Sequence, residues 1–222
     1  MCGRFTLTAD LKTIVERFSA PVGGRLVKSV RRYNIAPTQD VIVVGDDGQR
    51  YTTTMRWGLI PAWAKDPSIG NRIINARAET LTEKPSFRTA LQKRRCLVVA
   101  DGFYEWRKEG TVKQPVRILL QSKQPFGFAG LWDSWKSPEG EEIRSCTIIT
   151  TESNELLRPI HDRMPVILPT EDEAVWLDPK ITDPQMLQQL LKPYASDLME
   201  FYPVSRMVNS PAHDTADCIV AV

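Results

Sequence analysis

The fold is decided by residues 96–106, CLVVADGFYEW, in which two short apolar runs stand on either side of an Asp-Gly pair. Short runs of β-branched and aromatic residues that end at such turn residues are typical of strands. Because side chains alternate between the faces of a strand, Glu105 is expected on the face of Phe103, opposite Tyr104. The stretch therefore predicts consecutive strands that carry a carboxylate among aromatic side chains.

The pattern of short strands continues on both sides of this stretch. Before it, the runs 41–44 and 51–57 flank Asp46-Asp47-Gly48, a good signal for a hairpin turn. The other predicted strands are 96–100, 103–107, 116–120, 126–132, 143–150 and 164–168. Helical spacing predicts helices at 11–18, capped by Thr8, at 86–94, at 171–177, at 185–191, and a short one capped by Ser153 that ends before Pro159.

The order of these elements predicts one domain. We find no internal repeat, low-complexity tract or linker in the chain of 222 residues. The predicted fold is α+β, a single domain over residues 1–222 with a mostly antiparallel, barrel-like β-sheet core and peripheral helices.

Composition excludes several classes of protein. Hydrophobic residues make up 42% and charged residues 25%, as in ordinary globular proteins, and no apolar run has the length of a signal peptide or a membrane span. We expect a cytoplasmic, monomeric protein with no membrane partner. The four cysteines form no C-x-x-C pair, and with two histidines they form no zinc spacing, so no metal and no cofactor is expected.

The balance of charge limits a role with nucleic acids. The net charge is only +2, so binding to nucleic acid would need basic residues gathered on one face. Arg31-Arg32 and Lys93-Arg94-Arg95 are candidates for such a face. Runs of this kind are more often solvated surface, and both interpretations stay open.

Cys2 is the sharpest chemical feature because of its position. A small side chain after the initiator Met1 generally permits removal of that methionine, which would leave Cys2 with a free amine and a thiol. An α-amine has a pKa of about 8, so part of it is neutral near pH 7 and can condense with an aldehyde. The thiol can then close a five-membered thiazolidine ring. The alternative is an incidental residue on a frayed terminus.

Three further side chains are candidates for this chemistry. Glu105, among aromatics, can have a raised pKa and act as an acid or base, or it can pair with an arginine. His161 can transfer protons, although a lone histidine is more often structural. Asn75 can hydrogen-bond a sugar or hold the amine of Cys2, although an isolated asparagine is usually a turn residue.

Seven segments, in order along nearly the whole chain, strongly resemble the SOS response-associated peptidase (SRAP) family. They are residues 2–5 (CGRF), 33–38 (YNIAPT), 57–61 (WGLIP), 75–79 (NARAE), 100–106 (ADGFYEW), 160–165 (IHDRMP) and 204–206 (VSR). Any one of them is weak evidence, whereas seven in order are strong evidence.

The resemblance implies an abasic-site sensor and shield of the SOS response to DNA damage. Its partner would be single-stranded DNA with abasic sites, cross-linked covalently as a thiazolidine through Cys2, and bound protein would be associated with the nucleoid. The resemblance also implies autoproteolytic removal of Met1 and an abasic-site lyase activity. In matching positions the catalytic residues would be Cys2, Asn75, Glu105 and His161.

The resemblance implies a surface for DNA with less specificity. Arginines would bind the phosphates, and other residues would line the path of the DNA strand. The expected contacts are Arg4, Asn34, Pro37, Thr38, Trp63, Arg77, Arg163, Ser205 and Arg206. Some members of the family have a second tryptophan where this chain has Ala64, so stacking beside the lesion is expected to be weaker. The alternative places Trp63 in the core and the arginines in salt bridges.

Two rival functions remain open at this point. A class II glutamine amidotransferase also begins Met-Cys-Gly and uses an N-terminal cysteine, but the Glu105 and His161 segments do not fit it. A non-covalent single-stranded DNA-binding protein, with Cys2 as a bystander, would form only complexes that dissociate in denaturant.

Overall fold

The computed structural model describes residues 2–23, 26 and 31–222. The strands among them are β1 Phe5–Leu7, β2 Arg32–Ile35, β3 Asp40–Asp46, β4 Arg50–Trp57, β5 Asn75–Arg77, β6 Arg95–Ala100, β7 Gly102–Glu109, β8 Val112–Leu120, β9 Phe126–Lys136, β10 Glu142–Glu152, β11 Arg163–Pro165 and β12 Met199–Pro203. The α-helices are α1 Leu11–Phe18, α2 Pro85–Lys93, α3 Thr170–Leu177 and α4 Pro184–Gln189.

The larger sheet closes into a barrel. Its strands follow the order β11-β10-β4-β3-β6-β9, and β10 also pairs with β9. Because β10 is hydrogen-bonded to both β4 and β9, the ring β10-β4-β3-β6-β9 has no free edge between these strands. The barrel-like core predicted from the strand pattern is confirmed.

A second sheet, in the order β12-β8-β7-β1-β2, is antiparallel throughout. Phe5 of β1 joins it to the barrel, because its ring lies 5.1 Å from that of Trp57 and 5.9 Å from that of Phe128. These aromatic rings are buried in one apolar core together with Phe103. The N-terminal segment is therefore held between the two sheets.

The structure differs from the sequence-based prediction at one helix cap, at one predicted helix and at the end of one strand. The N-cap of α1 is Asp10, whose side chain accepts a hydrogen bond from Thr13, while the hydroxyl of Thr8 donates to Asp101. The helix predicted after Ser153 is wrong, because residues 155–160 form turns in which the Asn154 side chain accepts from Leu157. The predicted strand 164–168 is shorter, since β11 covers only Arg163–Pro165.

The other predicted elements are confirmed with small shifts of their ends. The hairpin of β3 and β4 and the five strands β6 to β10 lie where the alternation placed them. Helix α2 buries Phe87, Ala90 and Leu91, the three residues expected to face inward. In the part of the chain that the structure describes, no helix is both long and apolar enough to cross a membrane.

Asp101 fastens the N-terminal segment to the second sheet. Its carboxylate accepts hydrogen bonds from the hydroxyls of Thr6 and Thr8, both at 2.6 Å, and from the backbone N–H of Ala9 at 3.1 Å. The guanidinium of Arg117 lies 3.2 Å away, and both charged side chains are buried. This network fixes β1, and with it the residues that precede β1.

We predict that Asp101→Ala lowers the free energy of unfolding by about 3–5 kcal/mol, because it leaves the buried Arg117 without its counter-charge. Urea denaturation followed by circular dichroism measures the effect. Asp47→Ala, at an exposed turn position, is the control and should change stability by less than about 0.5 kcal/mol. Equal effects of the two substitutions would show that the network contributes no stability.

Candidate functional site

Cys2 lies beside the strand that carries Glu105. The register of β1 pairs Phe5 with Phe103, and the backbone N–H of Tyr104 donates to the carbonyl oxygen of Arg4 at 2.9 Å. Residues 2–4 therefore continue along β7 towards Glu105. The side chain of Cys2 is fully buried, which does not fit an incidental residue on a frayed terminus.

Asn75 holds the backbone of Cys2 from the opposite side. It begins the short strand β5, which runs parallel to β10. Its side-chain Nδ2 donates to the carbonyl oxygen of Cys2 at 2.8 Å. Its buried Oδ1 has no hydrogen-bond partner among the residues that the structure describes. This amide thus presents an acceptor beside Cys2, as a residue that holds an amine would need.

Burial shifts the pKa values of the acid and of the thiol at this site upwards. Glu105 is only 5% exposed, and its burial raises the pKa of the carboxyl, an effect that His161 partly offsets. Burial raises the pKa of the Cys2 thiol well above its ordinary value, and the charge of Glu105 raises it further. Cys2 is consequently a neutral thiol at physiological pH until a base removes its proton.

His161 reaches the same cavity from the connection between β10 and β11. Its Nδ1 accepts a hydrogen bond from the backbone N–H of Arg163 at 3.0 Å. An open cavity of about 450 Å³ beside Glu105 and His161 is also lined by Trp106, Lys113 and Asn209. Glu105 and His161 thus line the cavity, while Cys2 is buried and linked to Asn75 by a hydrogen bond and to Glu105 by charge.

The sequence does not predict that Lys113 and Asn209 line the cavity beside Glu105 and His161. Lys113 lies on β8, and Asn209 accepts a hydrogen bond from the indole of Trp106 at 2.7 Å. Neither residue belongs to a pattern that distinguishes it from ordinary surface. A larger cavity, about 510 Å³ between Tyr51 and Arg144, contains none of the four predicted catalytic residues.

Arg4 and Asn34 form a polar unit next to Cys2. The guanidinium of Arg4 donates to Oδ1 of Asn34 and to the carbonyl of Val208, both at 2.7 Å. Asn34 is fully buried, and its Nδ2 donates to backbone carbonyls, including that of His213 at 2.6 Å. Asn34 therefore orients Arg4 and fastens the C-terminal segment, and it presents no exposed surface of its own.

Trp63 projects from the loop after β4. Its side chain is 60% exposed, so the alternative that placed it in the core is wrong. The loop turns at Gly58, which has a φ of +125° and packs so closely that a Cβ would lie 2.5 Å from the carbonyl oxygen of Gly70. Ala64, next along the chain, is buried and accepts a hydrogen bond from the indole of Trp135.

The remaining expected DNA contacts differ in their exposure and in whether they already bind another part of the protein. Thr38, Arg77 and Arg206 are exposed, whereas Pro37 and Ser205 are half-buried. The hydroxyl of Ser205 caps the short 3-10 helix that Arg206 begins. Arg163 is ion-paired with Glu79, with Nη1 and Oε1 2.6 Å apart, as the salt-bridge alternative expected of the arginines.

The arginines of the two basic clusters make contacts within the protein. Arg32 is ion-paired with Asp214, and Arg94 lies 2.5 Å from Asp133. Arg95 is buried and donates five hydrogen bonds to backbone carbonyls. Arg31 lies 3.6 Å from Asp10. Arg31 and Lys93 are exposed, as the solvated-surface alternative expects, whereas the buried Arg95 fits neither interpretation.

Cysteine chemistry elsewhere offers no second site. Cys96, Cys146 and Cys218 are buried thiols without disulfides. Among the described residues, no group of three or more His, Cys, Asp or Glu side chains is placed to hold a metal ion.

Comparison with known proteins gives consistent matches over the whole chain. The family model described as SOS response associated peptidase (SRAP) matches residues 1–211. Abasic site processing protein YoqW of Bacillus subtilis is 50% identical over 221 residues, which is 99% of each chain. Abasic site processing protein HMCES of Xenopus tropicalis is 36% identical over 201 residues, which is 80% of this chain and 59% of that protein. A crystal structure of a protein from Bacteroides thetaiotaomicron is 29% identical and superposes with a TM-score of 0.87, with both chains fully covered.

Proposed function

The chain belongs to the SOS response associated peptidase family, and on that premise we propose that it shields abasic sites in single-stranded DNA by a covalent thiazolidine link through Cys2. Its relatives are named abasic site processing proteins. The observation that carries the proposal is the placement of Cys2, whose backbone oxygen is held by Asn75 at 2.8 Å beside the buried Glu105. Cys2 is the residue that becomes N-terminal when Met1 is lost.

The proposed reaction needs only the two nucleophiles of an N-terminal cysteine. The amine adds to the aldehyde carbon of the ring-opened abasic sugar, and loss of water gives an imine. The sulfur then bonds to the imine carbon, and the thiol proton ends on nitrogen. One aldehyde and one aminothiol thus give one thiazolidine and one water, with no oxidant or reductant.

Glu105 and His161 would move the protons of this sequence. An abasic deoxyribose exists mainly as a closed hemiacetal, so ring opening needs a proton on the ring oxygen. Burial raises the pKa of Glu105, which favours the protonated form that such a donor needs. Its carboxylate could then accept the proton of the neutral Cys2 thiol. His161, which lines the same cavity as Glu105, would exchange protons with solvent.

Two associated activities follow from the same groups. Hydrolysis of the bond between Met1 and Cys2 would free the amine, and we propose that the protein catalyses this step itself. The imine acidifies the neighbouring C–H of the sugar, so elimination of the phosphate gives a lyase activity whenever the thiol is slow to close the ring. Ring closure by sulfur would keep the DNA strand intact.

The proposed path for DNA follows the exposed and half-buried residues of the expected contact set. Arg77 and Arg206 would contact phosphates, and Arg4 would do so with Asn34 holding it in place. Arg163, which is ion-paired with Glu79, is a further proposed contact. The other proposed contacts are Pro37, Thr38, Trp63 and Ser205. We propose that the chain acts as a monomer, without cofactor, in the cytoplasm and on the nucleoid at damaged DNA.

We predict that Trp63→Ala weakens non-covalent binding of intact single-stranded DNA by about 1–3 kcal/mol, because an exposed indole stacks on bases. Fluorescence anisotropy with an intact oligonucleotide measures the change without interference from cross-linking. Met186→Ala removes another exposed apolar side chain, on α4, and should leave the affinity unchanged. Identical losses in both variants would exclude a specific stacking role.

The proposal is tested by denaturing gel electrophoresis with paired oligonucleotides. Wild-type protein should give a slow-migrating band with abasic single-stranded DNA and none with the intact strand. A complex seen only on native gels would support the non-covalent binder instead. Labelling of Cys2 by a glutamine analogue, without an adduct to abasic DNA, would support the amidotransferase.

A further inference from the structure

We propose that Glu79 is a positioning residue of the site, which acts through Arg163 on the proton arrangement of His161. The inference rests on the proposed function and names an additional residue that the reaction needs. Glu79 is 51% exposed at its side chain, lies outside the cavity lining and touches none of the four catalytic residues in the described contacts.

The contact between Glu79 and Arg163 is a two-pronged ion pair. Nη1 of Arg163 lies 2.6 Å from Oε1 of Glu79, and Nη2 lies 3.0 Å from Oε2. Planar pairing of this kind fixes direction as well as distance. The side chain of Arg163 is only 15% exposed, so solvent screens the pair less than an ordinary surface pair. The hydrogen bond from Arg163 also lowers the pKa of Glu79, which keeps this carboxylate charged.

The same guanidinium ties together the two sides of the site. Nη2 of Arg163 donates to the carbonyl oxygen of Thr150 on β10 at 2.5 Å. Thr150 stands opposite Arg77 of β5 on one side and opposite Pro165 of β11 on the other. Glu79 follows β5, the strand that carries Asn75. The ion pair therefore joins the segment that holds Cys2 to the strand that begins beside His161.

The first residue of β11 also sets the tautomer of His161. The backbone N–H of Arg163 donates to Nδ1 of His161 at 3.0 Å, so in the neutral ring Nδ1 is the acceptor and Nε2 carries the proton. β11 has only three residues. Because the strand is short, backbone pairing with β10 holds its first residue, Arg163, only weakly. The ion pair between the Arg163 side chain and Glu79 adds a second restraint on its position.

Asp162 does not offer an equivalent constraint. Its Oδ1 lies 2.8 Å from the same Nδ1 of His161, a contact that is favourable only when Nδ1 carries a proton, in the charged ring or in the Nδ1–H tautomer. The side chain of Asp162 is 87% exposed and can rotate away from a neutral ring. The backbone N–H of Arg163 cannot, since it belongs to the strand. Arg163, and Glu79 behind it, therefore decide the arrangement of the neutral imidazole.

The first test is nuclear magnetic resonance of the two imidazoles. The chain has only two histidines, and Nδ1 of His213 lies 3.0 Å from the carbonyl of Met207, which requires the opposite tautomer. At about pH 9, where ordinary imidazoles are neutral, ¹⁵N shifts of wild type should show Nε2–H for His161 and Nδ1–H for His213. Glu79→Gln should give a tautomer mixture at His161 and leave His213 unchanged.

The second test separates chemistry from binding. At saturating abasic single-stranded DNA, Glu79→Gln should slow cross-linking between about tenfold and a hundredfold through misplacement of the acid–base group. Its affinity for intact DNA should stay equal or increase, because a negative charge near phosphates is lost. Glu79→Asp should recover part of the rate. Glu83→Gln removes an exposed charge from the same connection and should have no effect on the rate.

A double-substitution cycle tests the route through His161. In a His161→Ala background, Glu79→Gln should cause no further loss of rate, because the residue it positions is gone. Multiplicative losses, or an unchanged His161 tautomer in Glu79→Gln, would overturn the inference. If wild type forms no adduct at all, the proposed function fails, while the tautomer measurement still decides the link between Glu79 and His161.

Discussion

Replacing Cys2 with alanine is expected to abolish the adduct that survives denaturation. Alanine is also small, so the general removal of an initiator methionine should still free the α-amine without the proposed self-processing, and this amine should still condense with the abasic aldehyde. Without sulfur the imine cannot close to the thiazolidine, and water reverses it in denaturant. The adduct band should therefore fall to the level obtained with intact DNA, the largest effect that the mechanism allows.

The same variant should reveal the intermediate. Borohydride reduces an imine to a stable amine, so its addition should restore a covalent band for Cys2→Ala. Cleavage of the DNA strand should increase, because the imine now persists long enough for elimination. Cys96→Ala removes another fully buried thiol from the barrel and is the matched control, with cross-linking like wild type. A denaturation-stable adduct of Cys2→Ala without borohydride would contradict the thiazolidine.

Glu105→Gln is expected to slow cross-linking by about 10²–10⁴-fold, the usual contribution of a positioned acid or base. Glutamine keeps the size and the polarity of the side chain but can neither donate nor accept the proton of the reaction. Single-turnover rates at saturating abasic DNA measure the loss. Glu173→Gln, at a buried carboxyl of α3 whose pKa burial also raises, is the control and should keep the wild-type rate.

The pH dependence supplies a second readout for Glu105. In wild type the cross-linking rate should rise with pH as the α-amine loses its proton, around its pKa of about 8. Loss of the Glu105 proton should oppose this rise, because the ionised carboxylate can no longer act as the acid. The pKa of Glu105 is raised by burial. In Glu105→Gln the cross-linking rate should still rise with pH as the amine is deprotonated, but the decrease caused by ionisation of Glu105 should be absent. A variant with the wild-type rate and profile would exclude Glu105 as the acid.

The raised pKa also predicts a cost in stability. Folded Glu105 keeps its proton to a higher pH than the unfolded chain does, so wild-type stability falls as pH rises from the ordinary carboxyl pKa through the raised value. Glu105→Gln should remove this fall and be more stable than wild type at neutral pH. Denaturation curves across that range test the sign.

The strands and the orientation of Glu105 could be predicted because alternation is a local property of the chain. Phe103 joins the main core and Tyr104 a separate apolar cluster, as the alternation in residues 102–109 requires. Closure of the barrel could not be predicted in this way. It depends on β10 pairing with both β4 and β9, and no local pattern encodes such distant partners.

The two errors in helix capping have one physical origin. A cap is a competition for a side-chain oxygen, and the structure offers partners that the sequence does not display. Thr8 is engaged by the buried carboxylate of Asp101, which leaves the cap of α1 to Asp10. Near Ser153, the side chain of Asn154 accepts from Leu157 in a turn that does not continue into a helix.

The candidate site could be predicted only in part. Short motifs and a family resemblance predict its four residues, but local patterns do not predict their contacts, because Asn75 and Cys2 are 73 residues apart in the chain. Asn34 was expected at the surface for DNA, whereas it is buried and orients Arg4. Lys113 was not singled out, because a lysine near a hairpin turn is ordinary until β8 places it beside the cavity.

The most direct measurement is the intact mass of the purified adduct with an abasic oligonucleotide, followed by fragmentation to locate the link. We predict the mass of the chain without Met1 plus that of the DNA less one water, with both the nitrogen and the sulfur of residue 2 attached to the sugar. A chain that retains Met1 and carries the DNA on another residue would contradict it.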